Sequence, residues 1–170
     1  MELFDRAPGE FCFARWKNVV VQAWAAQANA VSIARLRQTL SRVAGSGVRS
    51  SISVIADGLP PPTPEARAGF IDLMNSGANE IACLAIVVQG TGFASSALRS
   101  AVTGMRVATM RTYEMAILSS VEELGPWLPP RHLMKTGVEL DPARLCEVVR
   151  DVTQKAVSTA PMLSLPPRAG

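Results

Sequence analysis

The stretch that most constrains this chain is Ile81 to Val88, IACLAIVV, followed at once by Gln89-Gly90-Thr91-Gly92. An uninterrupted apolar run bounded by turn signals suits a strand buried on both faces, as in a parallel sheet covered by helices. Helical periodicity flanks it on both sides. Ala66, Phe70, Leu73, Met74 and Ala78 form a stripe before it, and Phe93, Ala97, Leu98, Ala101, Val102 and Met105 form the inward face of a helix after it. A buried strand between two amphipathic helices is the repeating unit of an α/β sheet, and the chain can be read outward from it.

Toward the N-terminus, residues 1–10 contain Pro8 and Gly9 and read as a lead-in. Phe11–Trp16 and Val19–Trp24 have strand character, and Lys17-Asn18 between them suits a tight turn in which Asn18 takes the left-handed conformation. The pair predicts a hairpin. A helix is expected over 30–44, capped by Asn29 or Ser32, with Ile33, Leu36, Leu40 and Val43 on one face. Gly45-Ser46-Gly47 stops it. In Ser50–Ala56, Ile52 and Val54 alternate with serines, which predicts a strand less deeply buried on its second face. Asp57-Gly58 ends this strand, and Pro60, Pro61 and Pro62 make a stiff connector. Thr63-Pro64-Glu65 then has the form of a helix start: Thr as cap, Pro in the first position, acid in the first turn.

Toward the C-terminus, Tyr113–Ser119 reads as a further strand. Ser120-Val121-Glu122-Glu123 has the capping-box form, predicting a short helix to Leu128 that Pro129-Pro130 closes. Residues 131–140 read as irregular. Asp141-Pro142 opens a last helix with Leu145, Val148, Val149, Val152 and Ala156 as its stripe. The expected fold is α/β: a small, mostly parallel central sheet of four or five strands with flanking helices, an N-terminal antiparallel edge hairpin and an extra C-terminal helix. Residues 1–130 would form the α/β domain and 131–158 an extension. The tail, 159–170, would be disordered.

Composition narrows function. Of 170 residues, 48% are apolar and 18% charged, which suits one domain with a substantial core and a surface partly covered by a partner. A net charge of +3, with Lys only at positions 17, 135 and 155 and Arg scattered, argues against nucleic-acid binding. No apolar run reaches the ~18 residues a membrane span needs, and the N-terminus has no secretory pattern. Cys12, Cys83 and Cys146 are widely spaced and form no zinc pattern, so neither a metal nor a cofactor is expected, and a reducing cytoplasm is the expected location.

The element order, the SISVIADGL strand with its exit loop, and the closing YEMAILSSVEELGPWL together resemble the STAS domain family. That family includes the sporulation-type anti-sigma-factor antagonists and many bacterial relatives, and the resemblance covers roughly Phe11 to Leu128. It implies a non-enzymatic regulatory module that acts through protein–protein contact. Sporulation-type members carry a phosphorylatable Ser at the start of the second helix. Here Pro62-Thr63-Pro64-Glu65 stands there, so the resemblance points to Thr63 as the phosphoacceptor, beside the simpler reading of Thr63 as an N-cap.

Other candidates follow from position. Asp57 and Gly58 end a strand at the carboxyl edge of the sheet, where α/β proteins often bind ligands. Gln89, Gly90, Thr91 and Gly92 could hold an anion on backbone N–H groups, or serve only as a glycine-based turn. They match neither a P-loop nor GxGxxG. Asp57, Gly58, Thr63 and Gln89–Gly92 are therefore the expected interaction surface. His132, the only histidine, reads as an exposed loop residue without triad partners. Arg99, Arg106 and Arg111 read as a solvated face, and Trp24 as core. No catalytic residue is assigned. The leading expectation is a partner protein or a second copy of this chain at those loops, with no nucleic-acid and no membrane partner. The alternative is a small molecule or lipid held in a pocket between sheet and helices.

Overall fold

The computed structural model describes residues 1–45, 47–109 and 113–158. Eleven elements follow one another: β1 (Glu2–Ala7), β2 (Phe11–Trp16), β3 (Val19–Trp24), α1 (Ala30–Val43), β4 (Arg49–Ile55), α2 (Pro64–Ser76), β5 (Ile81–Val88), α3 (Phe93–Ala108), β6 (Glu114–Leu118), α4 (Leu124–Thr136) and α5 (Pro142–Val157). The strands form one six-stranded sheet in sequential order, β1-β2-β3-β4-β5-β6. β1, β2 and β3 pair antiparallel, and β3 to β6 pair parallel. IACLAIVV is β5, between β4 and β6 and almost wholly buried.

The α/β class and the antiparallel N-terminal hairpin are as expected, but the strand count is higher. The lead-in is itself a strand, β1, with a register irregularity between Leu3 and Asp5. It hides in the sequence because it is a half-exposed edge rich in charge. Its Glu2 pairs with Arg15 at 2.8 Å, and its Asp5 pairs with Arg35 of α1. At the hairpin, Lys17 and not Asn18 takes the left-handed conformation, with φ 53°. Asn18 has a different task, described below.

Each parallel crossover moves to the neighbouring strand in the same direction, which sets α1, α2 and α3 on one face of the sheet. That face carries Phe11 and Phe13 of β2, Trp24 of β3, and Leu84, Ile86 and Val88 of β5. The opposite face carries Cys12, Val19, Val21, Ile52, Val54, Cys83, Ala85 and Val87, and α4 and α5 cover it with Leu124, Leu128, Leu145, Val149 and Val152. The capping reading is accurate at three helices. Asn29 and Ser32 cap α1 reciprocally, Thr63 caps α2 through the Ala66 N–H, and Asp141 caps α5 through the Arg144 N–H.

Two helices depart from expectation. α4 begins only at Leu124, after a turn, and runs through Pro129-Pro130 to Thr136. Its two prolines forgo the backbone bonds to the carbonyls of Gly125 and Pro126, in the helix's own first turn. Packing of Leu124, Leu128 and His132, spaced four apart on one buried face, carries the helix past the break. In α3, Phe93 is not on the inward face but 90% exposed.

Candidate functional site

β3 and β4 are adjacent parallel strands, with Val21 opposite Ile52 and Gln22 opposite Ser53. Successive side chains alternate between faces. Toward α4 and α5 the two strands present Val19, Val21, Ala23, Ile52 and Val54, apolar and fully packed, and one polar residue, Ser50, which bonds to His132 of α4. Toward α1 and α2 the same strands present Gln22, Ser51 and Ser53, at 6, 7 and 7% exposure. These three lie on the floor of a cavity of about 290 Å³ between the sheet and the helices. Its walls are Leu36 and Leu40 of α1, Phe70 and Leu73 of α2, and Leu84 and Ile86 of β5. The volume is close to the lower end of ligand pockets, roughly 300–1,000 Å³.

The polar floor is held by its own hydrogen bonds. Gln22 Nε2 donates to Ser51 Oγ at 2.8 Å, and Trp24 Nε1 donates to Ser53 Oγ at 3.0 Å. The indole is itself fixed by edge-on contacts with Phe13 and Phe70. At one margin of the cavity Arg49 Nη1 donates to Glu80 Oε2 at 2.6 Å, and the Arg49 amide N–H donates to the Glu80 carbonyl at 2.9 Å. The guanidinium bond holds the Glu80 carboxyl below its usual range. Arg37, also on the margin, faces Asp72 at 3.8 Å.

The residues singled out from sequence lie elsewhere. None of Asp57, Gly58, Thr63, Gln89, Gly90, Thr91 and Gly92 lines this cavity. They belong to loops at the carboxyl edge, and the structure joins some of them. The Asp57 carboxylate lies against Gly90, in the space a Cβ would need, and accepts from Ser95 Oγ at 3.2 Å. Ser95 also donates to the Gln89 carbonyl. Arg99, far from being a solvated residue, donates to the carbonyls of Val88 and Gly90 at 2.8 and 2.9 Å. Thr63 is the cap of α2, with its backbone N–H on the Ala28 carbonyl. Gln89 and Gly90 also line an open hollow of about 340 Å³ with Ser119, Ser120, Val121, Glu122 and Arg150. The charges there pair with each other, and the Arg150 bond brings the Glu122 carboxyl down to about 2. Arg111 and the tail from Thr159 lie outside the described residues.

His132 is the largest correction. It is not an exposed loop residue but fully buried in α4. Ser50 Oγ lies 2.7 Å from its Nδ1, and Asn18 Oδ1 lies 2.8 Å from its Nε2. Because Asn18 Nδ2 donates to the Val48 carbonyl, Oδ1 is the acceptor, so Nε2 carries the proton and Nδ1 accepts from Ser50. A Ser-His-Asn row has the elements of a nucleophilic triad, but Ser50 and His132 are at zero exposure and no substrate reaches the hydroxyl. The row locks α4 to β4 and to the β2–β3 turn.

The cavity floor left a trace in the sequence, in the serines that alternate with Ile52 and Val54 and in Gln22 within a β-branched run. The Ser-His-Asn row left none, since its members are 18, 50 and 132 and nothing local connects them. Among the described residues, no cluster of three or more His, Cys, Asp or Glu could hold a metal ion, and no helix is long and apolar enough to cross a membrane. Compared with known proteins, the chain matches no family model, no curated relative and no solved structure.

Proposed function

We propose that this protein binds a small, mainly apolar molecule in the cavity between its sheet and helices α1 and α2. One observation carries the reading: on one face the same two central strands are apolar apart from Ser50, which is bound to His132, and on the other they present Gln22, Ser51 and Ser53 to a cavity. A face serving stability alone would gain from Val or Ile there, since burying apolar area is favourable and burying polar groups costs unless they are paired. Polar groups aimed into an apolar-walled space orient a ligand. The test is native mass spectrometry of gently purified protein, with thermal shifts against a metabolite panel, on the wild type and on Leu73→Trp, which fills the cavity. The expected result is a bound mass or a ligand-dependent shift that Leu73→Trp abolishes. Absence of both in the wild type overturns the reading.

As a second reading we propose a STAS-like, cytoplasmic, non-enzymatic interaction module, and a different observation supports the protein contact in it. Phe93 is 90% exposed at the start of α3, beside a loop fixed by Asp57, Ser95 and Arg99, and Val31 is 71% exposed at the start of α1 on the same edge. A rigidly mounted exposed aromatic suits a protein contact or a homodimer. Light scattering at high concentration, with Phe93→Ser as control, tests the dimer, and a strict monomer removes it.

A further inference from the structure

The hydrogen-bond directions in the cavity floor restrict what it can hold. Ser51 Oγ and Ser53 Oγ each already accept a bond, from Gln22 Nε2 and Trp24 Nε1. Each hydroxyl keeps its own proton, and among the described residues neither donates it to a protein acceptor. The Gln22 amide, having given an N–H to Ser51, keeps its Oε1 as an acceptor. The floor therefore offers two O–H donors, two residues apart on one strand and so roughly 7 Å apart, together with the second Gln22 N–H, and the Gln22 Oε1 and the remaining serine lone pairs as neutral acceptors.

Charge restricts it further. The charged residues lining the cavity are Arg37, Arg49 and Glu80. Arg49 is bound to Glu80 at 2.6 Å, and Arg37 is half-exposed and faces Asp72. Each cation thus has an acidic neighbour. A ligand carboxylate would have to leave water and compete with Glu80 for Arg49, or remain buried without a counter-charge. A ligand ammonium would find only neutral acceptors on the floor, and the one lining carboxylate, Glu80, is already bound to Arg49. A carbonyl-centred neutral group meets neither difficulty.

We infer that the occupant is an uncharged apolar molecule whose polar end is a carbonyl-type group, such as a carboxamide, seated on the adjacent Ser51 and Gln22, and not a fatty acid or other carboxylate. This rests on the cavity reading above and specifies its ligand class. The donors come from the floor, and Leu36, Leu40, Phe70, Leu73, Leu84 and Ile86 take the hydrocarbon part.

The experiment compares octanamide with octanoate, which share shape and differ in charge, by calorimetric titration of the full chain at pH 7. Octanamide is expected to bind at least about tenfold more tightly, and Ser51→Ala to weaken it by about five- to tenfold, the value of one lost neutral hydrogen bond. Amide chemical shifts of residues 51–53 should move with octanamide in the wild type, which gives a readout even where a variant folds poorly. Octanoate binding as tightly as octanamide overturns the ligand class and leaves the cavity reading intact. Binding of neither also overturns the class, while a co-purifying mass lost in Leu73→Trp still sustains the cavity. Octanamide binding unchanged in Ser51→Ala overturns the seating on the floor.

Discussion

The Ser50 hydroxyl donates to Nδ1 of His132 across 2.7 Å, joining two residues 82 positions apart in a region without solvent. Removing one partner is then worse than removing both. Ser50→Ala leaves a buried ring nitrogen without a donor and should cost about 1–3 kcal/mol in urea unfolding. His132→Leu fills the space with apolar atoms but strands Ser50 instead. The double variant Ser50→Ala/His132→Leu should therefore lose clearly less than the sum of the single losses. Additive losses would show that the pair is not coupled.

The same histidine sets a pH dependence. Burial, and after it the charge of Lys17, lowers the His132 pKa below its ordinary value. The unfolded chain binds a proton as pH falls through about 6.5, whereas the folded protein does not until the lower folded pKa is reached. Between those two values the unfolded state holds more protons, so stability falls as pH falls, by at most about 1.4 kcal/mol per pH unit. Above the unfolded value the contribution is constant. Glu80 and Glu122, both lowered by arginine partners, act in a separate and more acidic window, losing their contributions as pH falls below about 4.3. Urea melts from pH 7.5 to 5 should show the first slope in the wild type and a flat profile in His132→Leu. An equal slope in both would place the titrating group elsewhere.

How far the sequence could be read follows from which signals were local. β5 and the caps at Asn29, Thr63 and Asp141 announce themselves within a few residues, and they were legible. β1 was not, because an edge strand with Glu2, Asp5 and Arg6 has no apolar run to show. α4 was misjudged at Pro129-Pro130 because the force that continues it is tertiary: Leu128 and His132 packing on the sheet. That one misjudgement also hid His132. The cavity floor was half legible. Ser51 and Ser53 stood out as polar alternates, but only the parallel pairing of β3 with β4 brings Gln22 beside them.

The cysteines give a reactivity prediction. Burial pushes the Cys12 thiol up to about 11, against a smaller opposing pull from Arg6 and Lys155. Burial also raises Cys83 and Cys146. The thiolate is the reactive form, and all three side chains are buried. With an aromatic disulfide reagent at pH 8, the folded protein should show no rapid phase, and all three thiols should react at once in denaturing urea. A thiol that reacts within seconds in the native protein would contradict the placement of its strand or helix.

Gly90 and Asp57 are the clearest test of the carboxyl edge. Gly90 has φ 83°, a conformation that costs other residues about 1–3 kcal/mol, and a Cβ there would overlap the Asp57 carboxylate. Gly90→Ala therefore has two penalties, the backbone conformation and the displacement of Asp57 from Ser95 Oγ. Asp57→Ala removes the second penalty but not the first. In a double-mutant cycle, Gly90→Ala should cost less in the Asp57→Ala background than in the wild type, with a coupling of about 0.5–3 kcal/mol. The β5–α3 loop is held by the same contacts. Its amide protons, from Gln89 to Phe93, should therefore exchange faster in Gly90→Ala, while those of β4 and β5 remain protected. Equal costs of Gly90→Ala in both backgrounds would mean that the carboxylate does not occupy the space against Gly90, and that the two exit loops are not joined through it.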